Sequence, residues 1–130
     1  MRTALAFLLT TISCACFAAT AETWPARPVR IVTPFPAASS VDVVLRIIQP
    51  HFSERLGQPV VVDNRAGASG AIGVEVVQRA TPDGYTMLLG TASTHALAKV
   101  LNPRLSYDPQ RDFLPVTLLG SIPYALSIYP

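Results

Sequence analysis

Apolar residues along this chain follow two alternating rhythms: short, nearly unbroken runs, and longer stripes at three- and four-residue steps. The runs are Val29 to Phe35, Val60 to Val62 and Met87 to Leu89. A run that is apolar at almost every position suits a parallel strand covered on both faces. Between the first two runs, Val41, Val44, Leu45, Ile48, Phe52 and Leu56 form one stripe and predict a helix from about Val41 to Leu56. Ser39, three residues before Asp42, resembles a capping box at its start, and Gly57 provides the stop. Pro50 removes one backbone donor and crowds the Arg46 carbonyl, which predicts a kink or a break.

The plan then repeats. Strands are expected from Pro59 to Val62 and from Tyr85 to Leu89, the latter after the turn Thr81–Pro82–Asp83–Gly84. Ala71 to Ala80 predicts a second helix and roughly Thr94 to Leu101 a third. Strands alternating with helices predict an α/β fold, a mostly parallel open sheet with right-handed crossovers and helices on both faces. After Asn102–Pro103 the pattern loosens into a polar connector, Ser106 to Phe113. Leu114–Gly120 and Tyr124–Tyr129 then read as two further strands.

Each of the three apolar runs stops at small residues that could open a helix. These are Pro36–Ala37–Ala38–Ser39–Ser40, Ala66–Gly67–Ala68–Ser69–Gly70, and Gly90–Thr91–Ala92–Ser93–Thr94 followed by His95. Small side chains let a ligand approach the backbone, and the first amides of a helix lack internal partners. Three such junctions on one sheet edge would make an anion-binding floor. The hydroxyls of Ser39, Ser40, Ser69, Thr91, Ser93 and Thr94 add neutral donors, suited to a carboxylate held by dipoles and water. Taken singly, each hydroxyl is equally well read as an N-cap. Taken together, the three junctions favour a site.

Composition narrows the alternatives. Met1–Arg2–Thr3, the apolar stretch Ala4 to Ile12 and Ala19–Thr20–Ala21 form a secretory leader over residues 1–21, too short for a membrane span. Residues 22–130 would be the mature chain, long enough for one compact domain. Cys14 and Cys16 both fall in the leader, leaving no thiol for a disulfide, a metal or a nucleophile. Ten Lys and Arg against eight Asp and Glu form no basic stripe, so nucleic acid is not an expected partner. His51 and His95 are far apart, without clustered carboxylates, so neither a metal nor a cofactor is expected. No phosphate-loop or dinucleotide spacing is present.

A hydrolase would need Ser39, Ser40, Ser69 or Ser93 with His51 or His95 and a carboxylate. The chain lacks a Gly-x-Ser-x-Gly elbow, and a helix start lowers the basicity of His95. A secreted serine hydrolase using Ser39 or Ser93 with His95 is the alternative to a non-catalytic binding protein.

Trp24–Pro25 through Pro34–Phe35–Pro36, Ser53 through Val62, and Asp63–Asn64–Arg65 form one set of motifs. Ala80 through Thr86, and Tyr107–Asp108–Pro109 with Asp112–Phe113, complete it. Together they resemble the Bug-type substrate-binding receptors of tripartite tricarboxylate transporters, over essentially all of the mature chain. The resemblance implies a periplasmic, type II-like protein whose two α/β lobes close over a small organic acid or amino acid. The ligand is delivered to membrane transporter subunits, and the receptor is a monomer.

It also implies a carboxylate held by loop amides and ordered water. The binding residues would be Phe35, Ala37, Ala38, Ser39, Ser40, Gly67, Ala68, Ser69, Gly90, Thr91, Ser93, Thr94 and His95. Asp42 would order the first loop. Such receptors commonly carry Gly-Gly at Ala38–Ser39, and Pro and Gly at Ala66 and Ser69, so a reshaped first loop or a narrowed pocket is expected. They run to about twice this length, which predicts a truncated protein whose residues 22–130 hold the first lobe and the start of the crossover to the second. A fragment that folds poorly, its apolar surface uncovered, is the third reading.

Overall fold

The computed structural model describes residues 23–121, 123 and 125–128. The expected leader, residues 1–21, lies outside them. Three strands, β1 (Val29–Thr33), β2 (Val60–Asn64) and β3 (Thr86–Leu88), form one parallel sheet in the order β2-β1-β3. Val29 pairs with Val60, and Arg30 with Thr86, fixing the central strand against both neighbours. β1 stops at Thr33 rather than Phe35, because Pro34 has no N–H to give the ladder.

Helix α1 (Ser40–Leu56) joins β1 to β2, and α2 (Ala71–Gln78) joins β2 to β3. The chain steps outward from β1 to β2 and then back past β1 to β3. Two right-handed crossovers in opposite directions place their helices on opposite faces of the sheet. On one face, Val29, Ile31 and Val60 pack around Leu45 of α1, with Ile48, Phe52 and Leu56 beside them. Val32, wholly buried, points the other way, where α2 lies against β1 and β3 with Val74 fully buried. Helices flank both faces of the sheet as expected, but only the central strand β1 is largely buried on both: Val61 of β2 is 48% exposed and β3 is half-buried throughout.

Several expectations need correction. Val44 is half-exposed and not part of the buried stripe; Val43 and Ile47 are exposed beside it. α1 runs unbroken through Pro50, whose surface position leaves the Arg46 carbonyl within reach of solvent. α2 ends at Gln78, two residues early.

The third helix opens with a π-helical turn, Ser93–Leu97, and only Ala98–Leu101 (α3) is α-helical. Leu114–Gly120 is not a strand; Leu114, Val116 and Leu118 are exposed and pair with nothing among the described residues. The expected strand Tyr124–Tyr129 is likewise unformed at residues 125–128, its other positions lying outside those described.

Gly73 of α2 sets how closely that helix seats. A Cβ there would stand 2.8 Å from both the Pro34 Cα and the Arg65 carbonyl oxygen, backbone atoms that cannot swing aside. Gly73→Ala should therefore destabilise the fold by about 1–3 kcal/mol, read as a lower urea midpoint with unchanged slope.

Candidate functional site

Because the strands are parallel, the loops that follow them all leave from one rim of the sheet. The order β2-β1-β3 also makes the chain reverse direction across β1, so a crevice opens at the carboxyl ends of the strands. A cleft of about 370 Å³ occupies that rim, lined by Pro34, Phe35, Pro36, Ala66, Gly67, Ser69, Gly70 and Ser93. All three junctions contribute to it. Its volume falls within the range of small-ligand pockets.

Four of the expected binding residues, Phe35, Gly67, Ser69 and Ser93, line this cleft. The others have different places. Ser39 caps α1, its Oγ accepting from the Asp42 amide at 3.3 Å. The Ala38 amide is already taken by Asp42 Oδ2 at 2.9 Å. Ala37, Ser40, Ala68 and Gly90 are exposed but outside the lining, and the half-buried Thr91 is outside it too. Thr94 is fully buried and closed to ligand. Pro34, Pro36, Ala66 and Gly70 complete the lining; the last three belong to the expected loops but not to the expected binding set.

The second and third loops meet the first at Gly70. A Cβ on this residue, whose φ is +94°, would come within 2.9 Å of Thr94 Cγ2 and 3.4 Å of Pro34 Cβ. The side chains of two loops thus rest against the bare backbone of the third. The lining amides of Ala66, Gly67, Ser69 and Ser93 have no hydrogen-bond partner among the described residues. None of the lining side chains is charged. The cleft therefore presents neutral donors.

Asp42 fixes the first loop from below. Its buried carboxylate accepts from Arg46 Nε at 2.9 Å, Asn64 Nδ2 at 2.8 Å and the Ala38 amide. Asn64 also donates to the Phe35 carbonyl at 3.2 Å, tying the first loop to the end of β2. Arg46 above all, then Asn64 and the Ala38 amide, hold the Asp42 carboxyl down to about 2 from 3.8.

The serine–histidine pair of a hydrolase is not assembled. His95 Nδ1 bonds Thr94 Oγ1 at 2.9 Å, while Ser93 Oγ bonds Thr91 Oγ1 at 2.8 Å and Ser39 serves α1. The His95 ring lies under Gly90 and edge-on to Phe113, 5.4 Å between centroids. Burial lowers its basicity.

The family model for the tripartite tricarboxylate transporter family receptor matches residues 44–130. The chain belongs to this family. It is 41% identical to the protein BugT of Bordetella pertussis over 111 residues, which are 85% of this chain and 34% of BugT. Among solved structures, MatC of Rhodopseudomonas palustris with bound malate is 41% identical, with a TM-score of 0.71 over 74% of this chain and 33% of MatC. A second R. palustris protein, solved with adipate, is 39% identical, with a TM-score of 0.64 over 67% of this chain and 29% of that one. The chain spans about a third of the length of the curated relatives it matches. The sheet and its flanking helices are thus those of this receptor family's solved structures.

Ala38 takes φ +63° and Ser69 φ +57°. These left-handed turns carry side chains, at a cost in strain. Ser39 is extended, at φ −67°, and carries no such strain.

Ala38→Gly should raise stability by about 1 kcal/mol, measurable as a higher denaturation midpoint. A carboxyl whose folded pKa is depressed stabilises fully above its unfolded value and loses that contribution as pH falls toward the folded one. Melting temperatures should therefore drop as pH falls from about 4 toward about 2. Asp42→Asn should start lower at neutral pH and show a shallower decline across that window.

Proposed function

We propose that this chain forms the strand-end wall of a periplasmic receptor that captures a small carboxylate without catalysis. The receptor hands its ligand to the membrane subunits of a tripartite tricarboxylate transporter. The convergence of three strand-end loops on one uncharged, amide-lined cleft carries this reading. Family membership supports it, as do the malate and adipate bound by two relatives. The leader pattern of residues 1–21 supports export.

The donor set also fixes what kind of affinity to expect. Two or three amide bonds to one carboxylate, each contributing about 1.5–3 kcal/mol before the cost of association, leave a one-sided site at about 1 mM or weaker. Tighter capture would need a second surface closing over the ligand.

A competing anion site is available for comparison. At the opposite, amino-terminal rim, a cleft of about 350 Å³ is lined by Arg27, Arg30, Thr81, Asp83 and Tyr85 among others. Arg27 there pairs with Asp83 at 2.9 Å, and Arg30 pairs at 2.8 Å with Asp63, a carboxylate it shares with Arg65, so each cation already has an acidic partner.

Titration of malate and adipate followed by amide chemical shifts tests the proposal. Millimolar-range shifts should appear at Gly67, Ser69 and Ser93, and be absent with the corresponding diamides. Shifts confined to the Arg27–Arg30 rim, or no carboxylate-dependent shift, would refute the assignment.

A further inference from the structure

We propose that Tyr107 is a positioning residue for the candidate site: its hydroxyl holds the Ser93–Leu97 turn in its wide form and so keeps Ser93 in the cleft. This rests on the receptor reading above.

Tyr107 is only 5% exposed, although it lies in a polar connector. Its hydroxyl donates to the Thr94 carbonyl at 2.8 Å, inside the π-helical turn. In a regular α-helix that carbonyl would accept the amide of Ala98, four residues on. A π turn moves each bond one residue further and persists where a neighbouring group stabilises it. Tyr107 supplies that group. Burial, with the Glu75 carboxylate nearby, pushes its phenol above the usual range, so it remains a donor.

Thr94 transmits the constraint. Its carbonyl is held by Tyr107, and its hydroxyl accepts from the Thr91 amide at 3.0 Å and contacts His95. Its methyl faces the backbone of Gly70. Ser93, the next residue toward the amino terminus, lines the cleft. A rotation of the turn would move Ser93 before it moved anything in the sheet.

Tyr107 is itself anchored. Its ring meets Phe113 edge-on at 6.1 Å, and Phe113 meets His95. Asp108 closes the following turn by accepting the Arg111 and Asp112 amides on its carbonyl and pairing with Lys99. Gln78 of α2 donates to Asp112 at 2.7 Å. The connector is thus fastened to both α2 and α3.

Tyr107→Phe in the full chain removes the hydroxyl and keeps the ring, so the fold should survive. Tyr85→Phe is the control: it too loses one hydroxyl bond, from the Ala26 amide, at the far end of the sheet. Without ligand, the backbone carbon shifts of Ser93–Ala98 should move toward α-helical values in Tyr107→Phe alone. The malate dissociation constant read at Ser93 should rise five- to tenfold in the same variant. Unchanged ligand-free shifts in Tyr107→Phe would overturn the inference, as would an altered turn with wild-type malate affinity. If the wild-type chain shows no malate response, the receptor reading fails; the ligand-free comparison then decides alone whether Tyr107 sets the turn.

Discussion

Gly70 is the point on which the rim depends. The first loop reaches it through Pro34, the third through Thr94, and the second supplies the glycine itself. A parallel sheet places the three loops on one edge, but that alone leaves them as separate turns. Close approach at a residue without a side chain joins them into one wall. The cleft exists because the backbone of one loop is bare where the side chains of the other two arrive. Beneath it, Gly73 repeats the device against Pro34 and Arg65, so α2 and the rim share one seating.

The electrostatics divide the same way. Charges sit behind the cleft and neutral donors line it. Asp42, Arg46 and Asn64 spend their hydrogen bonds on one another and on the first loop. Their work is to hold Phe35 and Ala38 in place. The amides left over, at Ala66, Gly67, Ser69 and Ser93, suit an anion whose charge is spread by dipoles. Ala38 and Ser69 hold left-handed turns at a cost in strain, which the surrounding contacts over-determine.

Much of the architecture was legible from periodicity, because apolar runs and a three-to-four stripe report burial directly. β1, α1, β2 and α2 lie within a few residues of their expected spans. Alternation misled where nothing covers the chain. Leu114, Val116 and Leu118 have a strand's pattern, yet a strand needs a ladder partner, and among the described residues none is present. Val44 shows the same limit on a helix, since apolar character does not say whether a neighbour arrives.

The site was legible as three loops but not as a set of contacts. The amide of Ala38 and the hydroxyls of Ser39 and Thr94 looked available and are used internally. Which donors remain free is a property of long-range packing. The role of Tyr107, thirteen residues from its acceptor, was hidden for the same reason.

Comparing Gly70→Ala with Gly57→Ala tests the central claim most directly. Both glycines have positive φ, +94° and +65°, so both substitutions carry backbone strain of about 1 kcal/mol. Only Gly70 has neighbours within 4 Å. Gly70→Ala should lose clearly more stability and shift the resonances of both Pro34 and Thr94, while Gly57→Ala leaves them in place. Equal losses, with Pro34 and Thr94 undisturbed in both variants, would show that the three loops do not meet at this residue.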